Sequence, residues 1–217
     1  MASSPSRAYQ AFLFDMDGTL ITSTAAAERV WTRWAERHGL DVAAFIPTIH
    51  GVRAADTIRR QNLPDIDLDA EVAWVERGEI EDVDGVVPIP GAIDFVKRLP
   101  PDRWAVVTSA SVPLAQARLR AAGVEPPAVM ITAEDVDRGK PDPAGYLKGA
   151  AALGVPIADC LVFEDAPAGI AAGEAAGADV IVVTAAWTHP LETQHPTLAD
   201  YGDVRLDVAA DGTLRLD

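Results

Sequence analysis

Two aspartates, Asp15 and Asp17, stand directly after the short apolar run Ala11–Phe14, and Gly18 and Thr19 follow them. An apolar run of this length reads as a buried strand, and a strand that ends in acid opens into a polar site. Carboxylates this close need a metal ion, a shared proton or a reacting partner beside them. Further polar groups follow other apolar runs much later in the chain. Thr108-Ser109-Ala110-Ser111 comes after Trp104–Val107, Arg138-Gly139-Lys140-Pro141 comes after residues 129–131, and Glu164-Asp165 comes after residues 161–163.

The residue types suit phosphoryl chemistry. Asp15, Asp17 through its backbone carbonyl, Glu164 and Asp165 are the candidate ligands of a hard cation such as Mg²⁺. Such a cation offsets the repulsion between a carboxylate nucleophile and a phosphate. Lys140 adds a second local positive charge. A hydroxyl of Thr108 or Ser109, with backbone N–H groups as far as Ala110, would hold the phosphoryl oxygens. Asp15 is then expected to attack phosphorus and form an aspartyl-phosphate. Asp17 is expected to protonate the leaving alcohol and afterwards to activate water.

Groups so far apart in sequence converge only if the elements carrying them share one sheet edge. Five runs, at 11–14, 104–107, 129–131, 161–163 and 180–183, are rich in β-branched residues and do not alternate, as strands covered on both faces should be. Helical segments lie between them at 91–99, 113–122, 143–153 and 167–176, with Pro near the starts and Gly123, Gly154 and Gly177 just past three of the ends. The alternation predicts an α/β fold with a doubly wound parallel sheet, whose ligands bind outside the carboxyl ends of the strands. A closing hairpin is expected over 204–208 and 213–216, turning at Asp211-Gly212.

Residues 24–84 interrupt the pattern. Helical spacing is read over 24–38, 54–61 and 69–77, and no buried strand occurs. The stretch is too long for a crossover, so the expected organisation is a core of 1–23 and 85–217 with an inserted helical domain at 24–84. The tryptophans of the insert are read as packing. Its polar loop 48–53 holds His50, Gly51 and Arg53, of which Gly51 permits an unusual backbone angle.

Composition limits the alternatives. The 217 residues are 49% hydrophobic with a formal net charge of −15, enough for a sizeable core and without the basic footprint of a nucleic-acid binder. The acidity also disfavours anionic membranes, and the first residues carry no signal-peptide core, so a cytoplasmic location is expected. The single cysteine, Cys160, excludes an internal disulfide and reads as an inert buried thiol. His189 and His195 are read as surface residues and 1–8 as a frayed tail.

Asp15-Met16-Asp17-Gly18-Thr19 resembles the first motif of the haloacid dehalogenase superfamily of phosphohydrolases, and Thr108/Ser109, Lys140 and Glu164-Asp165 resemble its second, third and fourth. The likeness covers nearly the whole chain. Closer similarity lies with bacterial sugar phosphatases and with yeast glycerol-3-phosphate and 2-deoxyglucose-6-phosphate phosphatases, through strings such as Arg138-Gly139-Lys140-Pro141 and Phe163-Glu164-Asp165-Ala166-Pro167-Ala168-Gly169-Ile170. The resemblance implies Mg²⁺, the Asp15 nucleophile, the Asp17 acid/base and a small phosphorylated sugar or polyol as substrate. It also implies that the insert is a cap whose loop, with His50, Gly51 and Arg53, reaches the substrate. A monomer is expected, because a cap must open. The alternatives are a phosphosugar mutase of the β-phosphoglucomutase type and a phosphoglycolate-type phosphatase. Ala27 and Ala54 stand where those mutases carry a His and an Arg, and Asp17 stands where true dehalogenases lack an acid.

Overall fold

A computed structural model describes residues 7–187 and 193–216. The chain starts on β1 (Ala11–Phe14) and makes the two-residue strand β2 (Ile21–Thr22). Four helices follow, α1 (Thr24–Arg37), α2 (Val42–Phe45), α3 (Ala54–Arg60) and α4 (Leu68–Glu81). Strand β3 (Val87–Pro88) then returns antiparallel to β2. From there helices and strands alternate: α5 (Ala92–Lys97), β4 (Trp104–Val107), α6 (Val112–Ala122), β5 (Met130–Ile131), α7 (Ala144–Ala152), β6 (Cys160–Glu164), α8 (Pro167–Ala176) and β7 (Asp179–Val183). A short β8 (Thr197–Leu198) completes the sheet, and β9 (Leu206–Val208) with β10 (Leu214–Leu216) forms the expected hairpin.

The main sheet has the order β5-β4-β1-β6-β7-β8 and every pair in it is parallel. The chain runs outward from β1 to β4 and β5, then crosses back to β6 on the other side of β1. Strand β1 is therefore the topological switch point, where an open α/β sheet leaves a crevice at its carboxyl edge. Alternate residues feed two cores. Phe12, Phe14, Trp104 and Phe163 face one side, while Leu13, Val107 and Val162 face the other with Ala150 of α7 and Ala172 of α8. The first side is aromatic, with Phe14 and Phe163 stacked at 4.4 Å between centroids. Each buried phenylalanine contributes roughly 1.5–3 kcal/mol of transfer free energy.

The four helices between β2 and β3 build a hydrophobic cluster of their own around Val30, Trp31, Trp34, Phe45, Ile58 and Val75. Its polar centre is Glu71, which accepts from Trp34 Nε1 at 2.8 Å, from Arg37, and pairs with His38 Nε2 at 3.1 Å. Burial works against this carboxylate, yet the hydrogen bonds from His38 and Trp34 and the charge of Arg37 hold it below the usual glutamate range. A lowered folded pKa stabilises the fold above the ordinary value and is lost as pH falls through the lowered one. Glu71→Gln is therefore expected to cost about 1–3 kcal/mol at neutral pH, and the deficit should shrink below about pH 4. Thermal melting across that range checks it, and a pH-independent deficit would point to packing instead.

Several elements differ from the sequence reading. Helix α4 runs to Glu81 rather than stopping at Arg77. Gly78 does not end it, because the glycine lies where a Cβ would press on Val30 Cγ1 at 2.9 Å, so the residue serves the crossing of α4 over α1. Strands β2, β3 and β8 are too short for periodicity to reveal. His195 lies at the surface as expected, partly exposed, with its Nε2 2.9 Å from the exposed Glu174 Oε1, and His189 lies outside the described residues. Within the expected frayed tail of 1–8, Arg7 is held: its guanidinium bonds Ala158 O at 2.7 Å and pairs with Asp159 at 3.2 Å, and residues 1–6 lie outside the described residues. Cys160 is fully buried, and burial pushes its thiol up to about 12. Among the described residues, no helix is long and apolar enough to cross a membrane.

Candidate active site

The ladder between β1 and β6 continues one residue past β1, because Asp15 N donates to Phe163 O at 3.0 Å. Asp15 therefore sits at the crevice mouth on a fixed backbone. Its Oδ1 accepts from Lys140 Nζ at 2.5 Å, and the same ammonium donates to Glu164 Oε1 at 2.6 Å. All three residues are buried. The Lys140 ammonium also lies 5.2 Å from the Tyr146 ring centroid. Burial disfavours its charge, but Asp15 and Glu164 more than compensate and hold it above the ordinary lysine value.

Glu164 was expected among the metal ligands, and its surroundings give it another task. Oε1 also accepts from Tyr146 OH at 2.7 Å, and Oε2 accepts from the backbone N–H of Asp165 at 3.0 Å and of Ala166 at 3.2 Å. Four donors leave it little capacity for a cation, so it frames Lys140 and the start of α8. Gly169 in that helix is required by close approach, since a Cβ there would fall on the Glu164 carboxylate.

Asp165 faces Asp15 across the crevice, with Thr19 Oγ1 donating to its Oδ1 at 3.4 Å. Oxygens of Asp15, Glu164 and Asp165 lie within 4.8 Å of one another. Burial, reinforced by Glu164 and Asp17 and opposed by Lys140, pushes the Asp15 carboxyl up to about 8. Burial and the neighbouring Asp15 and Glu164 push Asp165 well above the carboxylate range. Crowded carboxylates with one ammonium between them are short of positive charge, and the oxygens of Asp15 and Asp165 left open beside Glu164 fit a hard divalent cation.

Asp17 turns away from that cluster. Its Oδ1 accepts from Ser23 Oγ at 2.6 Å, and its Oδ2 pairs with Arg118 Nη1 at 3.0 Å. Arg118 is buried on α6 and also donates to Glu79 of α4 at 2.9 Å. Sequence reasoning missed Ser23, Arg118 and Glu79. One signal was available for Arg118, a charged residue four positions after buried Leu114 and next to buried Leu119.

At the end of β4, Thr108 Oγ1 accepts from Ala110 N at 3.1 Å, which leaves the threonine proton free to donate. Ser109 Oγ instead donates to Gly51 O at 3.2 Å. Gly51 has φ +72°, as its loop position suggested. Arg53 was expected to offer donors to a substrate. Its guanidinium is instead spent on Asp56 at 2.8 Å and on the carbonyls of Val136 and Asp137 at 3.2–3.3 Å. It fastens the loop to the segment after β5. His50 lies 3.5 Å from Glu28 and stays partly exposed. These groups line a cavity of about 420 Å³ together with Asp15, Asp17 and Asp165 and the α4 residues Val72, Glu76 and Glu79.

The chain matches the haloacid dehalogenase-like hydrolase family over residues 9–177 and belongs to that family. It is similar to hexitol phosphatase A from Escherichia coli (strain K12), at 45% identity over 178 residues, covering 80% of this chain and 82% of that one. It is also similar to 2-deoxyglucose-6-phosphate phosphatase 1 from Saccharomyces cerevisiae (strain ATCC 204508 / S288c), at 36% over 196 residues, covering 81% and 80%. Among solved structures, CbbY from Rhodobacter sphaeroides in complex with phosphate shares the fold with a TM-score of 0.75, covering 90% of this chain and 96% of that one at 21% identity.

Proposed function

We propose that this protein is a Mg²⁺-dependent phosphomonoesterase that hydrolyses small sugar or polyol phosphates, and that it works as a cytoplasmic monomer. The observation that carries the reading is the convergence of Asp15, gripped by Lys140 at 2.5 Å, with Asp17, Thr108 and Asp165 at the switch point of the sheet. The relatives named for hexitol and deoxyglucose phosphates support the substrate class. Residues 1–23 and 85–217 are read as the catalytic core and residues 24–84 as the cap.

In this reading Lys140 holds Oδ1 of Asp15 so that the other oxygen is aimed at phosphorus. Asp15 displaces the alcohol in line and becomes an aspartyl-phosphate, while Asp17 gives a proton to the leaving oxygen. Asp17 then takes a proton from water, which attacks the same phosphorus and releases inorganic phosphate and free Asp15. Thr108, whose proton is free, donates to a phosphoryl oxygen. Asp15, Asp165 and the carbonyl of Asp17 would hold Mg²⁺, which supplies charge neutralisation for the phosphoryl group. Ser23 and Arg118 keep Asp17 directed towards the cavity instead of the cation cluster.

Purified protein is expected to hydrolyse p-nitrophenyl phosphate and a hexitol 6-phosphate with Mg²⁺ and to lose that activity in a chelator, with restoration on adding Mg²⁺ back. Release of inorganic phosphate from neither compound, with Mg²⁺ present, would refute the reading.

A further inference from the structure

The two carboxylate oxygens of Asp17 have different partners. Oδ1 accepts from Ser23 Oγ at 2.6 Å, and Oδ2 pairs with Arg118 Nη1 at 3.0 Å. The other arm of the same guanidinium, Nη2, donates to Glu79 Oε1 at 2.9 Å. Among the described residues the Nε of Arg118 has no hydrogen-bond partner, so the two arms alone hold the group. The side chains of Arg118 and Glu79 are 6% and 7% exposed, whereas that of Asp17 is 27% exposed. The three residues come from three places: Asp17 from the turn after β1, Arg118 from α6 of the core, and Glu79 from α4 of the insert. Helix α4 meets α6 a second time one turn earlier, where Glu76 accepts from Ser111 Oγ.

A guanidinium is a rigid planar fork. With one arm fixed by Glu79, only the other reaches Asp17, and it meets a single oxygen. A buried arginine with one carboxylate in reach tends to take both oxygens side by side. Without Glu79, Arg118 would draw Oδ1 of Asp17 as well, and Ser23 would lose its partner. We propose that Glu79 is a positioning residue for proton transfer: it belongs to the insert, and it acts through Arg118 to leave the Asp17 carboxyl turned towards the leaving oxygen. The proposal rests on the phosphomonoesterase reading and deepens it. It gives the insert a part in the chemistry, because the acid is aimed only while α4 is seated on α6.

The deciding measurement is kcat/KM of the full chain with Mg²⁺ on benzyl phosphate and on p-nitrophenyl phosphate. For both esters this quantity covers the steps up to departure of the alcohol, and only the benzyl alkoxide needs a proton to leave. Neither ester carries a sugar hydroxyl, so a lost sugar contact is not read. Damage to the fold, the cation site or the phosphate-binding groups lowers both values together, and their ratio reports the aim of the acid. Glu79→Ala should lower the benzyl-to-nitrophenyl ratio by about 10–100-fold, the scale of a misplacement of roughly 1 Å. Glu79→Gln keeps an acceptor for Nη2 and should hold the ratio within about threefold of the parent's. Arg118→Lys keeps the charge but not the fork, and should lower the ratio by about tenfold or more. Arg118→Lys decides alone if Glu79→Ala does not fold. An unmoved ratio in the deciding variant, equal falls for Glu79→Ala and Glu79→Gln, or a parent active on the nitrophenyl ester alone would overturn the proposal and leave the phosphatase reading in place. A parent that hydrolyses neither ester would overturn both.

Discussion

Asp15→Asn should abolish turnover, lowering kcat/KM by at least about a thousandfold on every phosphate ester. An amide oxygen is a poor nucleophile, and the substitution also removes the charge that Lys140 grips at 2.5 Å. The fold should survive, because β1 is held in register by β4 on one side and β6 on the other. Asp15 is also no asset to stability as a charged group. Burial pushes its carboxyl up to about 8, and an acid with a raised folded pKa weakens the fold at all pH above its ordinary value of roughly 4. In a chelator near neutral pH, Asp15→Asn is accordingly expected to shift Tm by only a few degrees. Phosphate release and melting curves measured on one preparation check both halves. Turnover above a few per cent of the parent's would remove Asp15 from the nucleophilic role.

Asp17→Asn should separate the two half-reactions. Without the acid, a sugar or polyol alkoxide has no proton source, and its departure should slow by about 10²–10⁴-fold. The p-nitrophenolate ion departs without a proton, so formation of the aspartyl-phosphate from that ester should slow far less. Its breakdown still needs a base for water. Rapid mixing with p-nitrophenyl phosphate should therefore give a burst of nearly one equivalent of p-nitrophenolate per enzyme, followed by slow turnover. The hexitol phosphate should give no burst. Equal slowing of the first turnover on both substrates would count against Asp17 as the acid. Asparagine at this position can still accept from Ser23, which holds Asp17 at 2.6 Å, so the local geometry should change little.

The strands carrying this chemistry were legible because each is a short apolar run that stops at a polar group. Strands β1 and β4 match the expected limits, β5 and β7 differ by a residue at one end, and β6 is longer by a residue at each end. Helix α8 matches as well, because Pro167 starts it and Gly177 in the left-handed region ends it. What the sequence hid are contacts between segments that become neighbours only after folding. Arg118 is one arginine in a helix until α4 lays Glu79 against it and β1 delivers Asp17. Arg53 and Ser109 looked like donors awaiting a substrate, but each found a backbone carbonyl in the structure. Glu164 looked like a ligand, and Tyr146 OH and two backbone N–H groups were the information needed to read it otherwise. The ribbon of β2 and β3 has two residues per strand, below the length at which any alternation shows.

That ribbon has a consequence for how new versions of the molecule can arise. The chain leaves for its helical insertion at Thr22 and returns at Val87, and these two residues are direct partners across the antiparallel pair. Exit and re-entry thus lie about 5 Å apart. The intervening stretch behaves as a cassette with adjacent splice points. Closing a longer or shorter loop between fixed neighbours costs only logarithmically in its length, so a replacement of different size can be grafted there without rerouting any strand. One contiguous exchange would carry away α4 and the His50–Arg53 loop together, and would leave Asp15, Thr108, Lys140 and Asp165 where the sheet holds them.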